Sequence, residues 1–87
     1  MVEMLLVDDY PHLVESLAKT LAKSPLAISA VHTAFSVEEA LDILNDNDID
    51  IVVTDIQMPG QSGLELIAAI KRKWKSVKFV IRLWAEK

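Results

Sequence analysis

Residues 52–63 read VVTDIQMPGQSG: an apolar run halts at Asp55 and gives way to a segment containing one proline and two glycines. A carboxylate at the exit of a buried strand has two readings. Aspartate begins turns well, because its side chain bonds its own backbone two residues on. It is also the residue a chain would place there to meet a cation or attack an electrophile. The sequence on either side decides between them.

Upstream, Ile49 to Thr54 forms a short strand. Before it, Ser36-Val37-Glu38-Glu39 has capping-box spacing, in which the serine hydroxyl accepts a first-turn N–H and the glutamate reaches back. The helix it opens turns Val37, Ala40, Leu41 and Leu44 inward and runs down in Asn45-Asp46-Asn47-Asp48. Ile28 to Ala34 is a β-branched strand. An earlier helix has Asp9 or Tyr10 near its cap and Pro11 in its first turn, where a missing N–H costs little. Its apolar face holds Leu13, Val14, Leu17, Ala18, Leu21 and Ala22, and Ser24-Pro25 stops it. The first strand is MLLVD, residues 4–8, a continuous apolar run ending in acid.

Downstream, Ser62 to Glu65 repeats the capping-box spacing. Leu66, Ile67, Ala69, Ile70 and Trp74 follow on one helix face, and Lys71, Arg72, Lys73 and Lys75 crowd its last turn. That basic cluster reads as a solvated helix end. Lys78 to Leu83 is a fourth strand. The order βαβαβαβ predicts a single α/β domain over residues 1–87, with a parallel sheet and right-handed crossovers.

The chain's 87 residues limit it to one small domain, and a 52% hydrophobic content supports a real core. No apolar run approaches the ~20 residues a bilayer span needs. The opening MVEMLLVDD is too short and acidic for an export signal, and cysteine is absent. The expected setting is therefore cytoplasmic, without membrane association. A formal charge of −4 disfavours direct nucleic-acid binding.

In an open α/β sheet, ligands bind beyond the carboxyl ends of the strands, where strand order reverses. Asp8-Asp9 ends the first strand and Asp55 ends the third. A flavodoxin-like order 2-1-3-4 makes these strands neighbours, about 4.8 Å apart. Three carboxylates would then share one crevice, an arrangement that calls for a cation, with Mg²⁺ the natural choice. Asp55 could then act as a nucleophile toward a phosphoryl group.

LLVDDYP at 5–11, taken with VVTDIQMPGQSGLEL at 52–66, resembles the receiver domain of two-component response regulators over essentially the whole chain. The resemblance implies that Asp55 is the phosphoacceptor and that Asp8 and Asp9 are the acidic metal-binding pair. It further implies that the Gln57 backbone carbonyl is another Mg²⁺ ligand, with Pro59 and Gly63 shaping the loop. The implied donor is a phosphohistidine on a sensor histidine kinase, and the implied output is a process such as transcription.

The family pattern has five strands and five helices, so residues 1–87 read as a truncated or otherwise altered receiver lacking the fifth strand and last two helices. Where the family has Thr or Ser at the end of the fourth strand, this chain has Trp84, and neither Lys78 nor Lys87 matches the family's later lysine. The expectation is Mg²⁺ binding with impaired phosphorylation. The alternative is a non-phosphorylated pseudo-receiver that acts as an interaction or dimerisation module. A haloacid-dehalogenase-like phosphatase is disfavoured, because Asp55-Ile56-Gln57 lacks the second acid of D-x-D. Arg82 is anomalous in an apolar strand. The exposed edge of the fourth strand predicts homo-oligomerisation, by edge pairing or exchange of the C-terminal segment. His12 reads as a surface residue and His32 as structural.

Overall fold

The computed structural model describes residues 2–23, 28–55, 57–58 and 61–82. Strand β1 (Val2–Val7) leads into helix α1 (Pro11–Ala22), strand β2 (Ile28–Ala34) and helix α2 (Val37–Asp46). Strand β3 (Ile51–Asp55), a ribbon of two short strands β4 (Gln57–Met58) and β5 (Gln61–Ser62), helix α3 (Gly63–Lys73) and strand β6 (Lys78–Arg82) complete the order. The four long strands form one sheet in the order β2-β1-β3-β6, all parallel. This is the expected flavodoxin-like 2-1-3-4 arrangement, with β6 as the fourth principal strand.

Two strands have bounds that differ from those expected. β1 starts at Val2, not Met4, because Val2 and Glu3 pair with Ile28 and Ala30 across a register shift; it closes at Val7, so Asp8 lies just beyond it. β3 runs Ile51–Asp55, not from Ile49. Ile49 is buried in the core ahead of the strand, while Asp50 ties the neighbouring strands: its N–H donates to the Glu3 carbonyl (2.8 Å) and its carbonyl accepts from Lys78 N–H (3.0 Å). The β4–β5 ribbon was not anticipated. It pairs Gln57 with Ser62 and Met58 with Gln61 across a two-residue connection, the length that tight hairpins use. The proposed stop at Ser24-Pro25, the turn at Pro59, and Leu83, Trp84 and Lys87 lie outside the described residues.

The helices form where capping and periodicity require them. Ser36 Oγ accepts the Glu39 N–H at 3.1 Å, and Val37, Ala40 and Leu44 then bury one face of α2. Gly63, Leu66, Ile67 and Ile70 do the same for α3. Right-handed crossovers place α1 on one face of the sheet and α2 and α3 on the other, because β1 to β2 runs one way across the sheet and the next two connections run back. Between α2, α3 and the sheet lies the main core of Leu5, Val7, Leu44, Val52, Leu66 and Ile70, with Trp74 and Phe79 packed at its border. At the sheet's other margin β6 is an edge strand whose Val80 is 51% exposed.

Leu44 is 2% exposed at the centre of this core. Leu44→Ala should cost about 3 kcal/mol of folding stability, read as a lower urea midpoint at unchanged slope.

Candidate functional site

The strand register brings the acids together. Val7 pairs with Thr54 and with Ala34, so Asp8 and Asp55 occupy the next positions on adjacent strands at the carboxyl edge of the sheet. Asp8 is held there from both sides. Its N–H donates to the Ala34 carbonyl at 3.1 Å, extending the β1–β2 ladder by one rung. Its Oδ1 accepts the Tyr10 N–H at 3.1 Å. Tyr10 is the N-cap of α1 and provides no side-chain cap of its own, so Asp8 fixes the entry to the helix while Pro11 occupies the first turn. Asp9 sits between them, half-buried.

Asp55 is the last residue of β3, and its backbone is braced by Thr54, a buried residue whose hydroxyl donates to the Asp55 carbonyl at 3.0 Å. Asp8 is 1% exposed and Asp55 4%, an expensive place for charge unless something compensates it. One carboxylate oxygen from each of Asp8, Asp9 and Asp55 lies within 4.8 Å of the other two. A Mg²⁺ ion bound at 2.0–2.1 Å sets opposite oxygen ligands about 4.2 Å apart. Three carboxylates with one oxygen each within 4.8 Å of the others are the kind of hard donor set that such an ion takes. Gln57 follows two residues after Asp55, its backbone fixed in the β4–β5 ribbon.

All three acids read from the sequence therefore converge, Asp8 and Asp55 through strand register and Asp9 as the residue that follows Asp8. Two contributors were not foreseen. Thr54 was read as an ordinary strand residue, and its only signal was a hydroxyl beside the exit aspartate. Arg82 was noted as an anomaly in its strand, but its place was not: it pairs with Asp55 across β3 and β6. His12 is exposed and stands edge-on to Tyr10, with ring centroids 6.5 Å apart. His32 lies midway along β2, in register with Leu5, its Nε2 2.7 Å from Glu3 Oε1.

A parallel sheet with three acids grouped at its carboxyl edge, where strand order reverses, defines the class: a flavodoxin-like α/β domain. The chain belongs to the response regulator receiver domain family, whose pattern it matches over residues 4–83. It is 30% identical over 78 residues to the nitrate/nitrite response regulator protein NarL of Escherichia coli, covering 90% of this chain and 36% of NarL. It is 32% identical over 81 residues to the transcriptional regulatory protein MalR of Bacillus subtilis, covering 93% of this chain and 34% of MalR. The chain thus spans about a third of the length of these curated relatives. Among solved structures it resembles the response regulator TrrA of Thermotoga maritima in complex with Mg²⁺-BeF, with a TM-score of 0.86 and 35% identity, over 98% of this chain and 72% of that one. TrrA has also been solved in complex with the histidine kinase ThkA.

Like charges this close repel one another. Asp55→Asn keeps the shape and removes one charge, so in metal-free buffer it should stabilise the fold by about 1–2 kcal/mol. Chelator-treated protein should show this as a higher urea midpoint, and a lower one would refute the repulsion.

Proposed function

We propose that this chain is a signal-transduction receiver that accepts a phosphoryl group on Asp55 from the phosphohistidine of a sensor kinase. One observation carries the reading. In a member of the receiver family, Asp55 ends the strand next to β1, and its carboxylate lies within 4.8 Å of those of Asp8 and Asp9.

Asp8, Asp9, Asp55 and the Gln57 backbone carbonyl are the proposed ligands of Mg²⁺, which when bound supplies the positive charge that lets an anion attack an anion. Asp55 attacks phosphorus through a carboxylate oxygen. The new P–O bond forms as the P–N bond to the kinase histidine breaks, and the imidazole leaves with its electron pair. Asp8 orients the site while its Oδ1 holds the N-terminus of α1, and Thr54 keeps the Asp55 backbone at the strand's end. The chain carries no separate enzymatic activity in this reading.

The output belongs to whatever these residues are joined to, and regulation of transcription is the form it takes in this reading. The net charge of −4 supports assigning any DNA contact to another domain. Among the described residues no helix is long and apolar enough to cross a membrane, and the proposed setting is cytoplasmic.

Acetyl phosphate with Mg²⁺ should add one phosphoryl group, stable to acid and labile to base, seen by intact mass. Asp55→Asn should abolish the addition. Failure of the unsubstituted chain to gain mass under any condition would leave an interaction module in place of a phosphoacceptor.

The edge of β6 supports a second partner, another copy of the chain. Among the described residues β6 pairs with β3 alone, and Val80 and Ile81 are exposed along it. Light scattering across a concentration series should show a rising mass, which Val80→Lys should suppress. A constant monomer mass would exclude edge pairing.

A further inference from the structure

We propose that Thr54 is a positioning residue of the phosphoacceptor site: its hydroxyl orients the main chain at Asp55, and with it the Asp55 carboxylate and the approach to Gln57. The proposal deepens the phosphoacceptor reading and rests on it. β3 reads IVVTD, and Thr54 stands where a third valine would precede the acid. It is in register with Val7 and shares a face of the sheet with Val7 and Val52, both members of the main core. It is 0% exposed. A valine would fill nearly the same space and bring no polar atom. A hydroxyl at that depth costs free energy unless it is hydrogen-bonded, so threonine needs a partner there. That partner is the Asp55 carbonyl, which accepts the hydroxyl at 3.0 Å.

Thr54 acts through the main chain. Successive side chains leave a strand on opposite faces, so Thr54 faces the core while Asp55 faces the other way. The carbonyl and the Cβ of Asp55 hang from the same Cα, and holding the one limits the directions in which the other can leave. The carbonyl so held is the last of β3, where a strand end would otherwise fray. It also begins the connection to β4, in which Gln57 pairs with Ser62. One buried hydroxyl therefore bears on both groups that this segment offers a cation, the Asp55 carboxylate and the Gln57 backbone carbonyl. A partner that orients a metal-binding carboxylate in this way is worth roughly 10–100-fold in affinity or activity.

Two substitutions separate positioning from packing. Thr54→Val keeps the shape and loses the hydrogen bond, whereas Thr54→Ser keeps the hydroxyl and loses a buried methyl. At saturating Mg²⁺, Thr54→Val should slow phosphorylation by acetyl phosphate about tenfold, with the half-saturating acetyl phosphate concentration unchanged. Its urea midpoint should stay near that of the unsubstituted chain. Thr54→Ser should lower the midpoint and yet phosphorylate close to the unsubstituted rate. By calorimetry, Mg²⁺ should bind Thr54→Val about two- to tenfold more weakly, and Thr54→Ser as tightly as the unsubstituted chain. Rates that follow the urea midpoint across the two variants overturn the proposal, as does a Thr54→Val chain that phosphorylates at the unsubstituted rate. If the unsubstituted chain takes up no phosphoryl group, the phosphoacceptor reading falls, and Mg²⁺ affinity alone decides Thr54. Weakening in Thr54→Val that Thr54→Ser does not share upholds it as a positioning residue, and equal affinities remove it.

Discussion

The structure turns on a repulsion. Register delivers Asp8 and Asp55 to neighbouring positions at the end of a sheet, both almost wholly out of water, with Asp9 beside them. Burying carboxylates among their own kind costs free energy, and a small domain has little to spare. Three carboxylates so placed are the hard-oxygen group that a divalent cation could take. The rest of the fold is the scaffold that holds the acids at that edge.

That scaffold concentrates its conventional stabilisation away from the acids. The buried cluster of Leu5, Leu44, Val52, Leu66 and Ile70 lies between α2, α3 and the sheet. The strands are pinned at their amino ends by Asp50, whose carboxylate takes the Glu3 N–H at 2.8 Å and whose backbone bonds both Glu3 and Lys78. His32, midway along β2, meets Glu3. The amino end of the sheet is therefore stitched with polar contacts, and the acids gather at the other.

Much of this was legible from the residues. The alternation of buried runs with capped amphipathic segments gives the strand order, because parallel strands need crossovers and crossovers have one hand. Asp8, Asp9 and Asp55 were legible as a group for the same reason: each follows a run that can only be a central strand. The less legible features depend on register and not on pattern. The two-residue strands β4 and β5 are too short to carry any periodicity, and Asp50 looks like a loop residue until its backbone is seen bridging β1 and β6. Arg82 stood out by composition, yet only the pairing of β3 with β6 shows that its odd position is the one opposite Asp55.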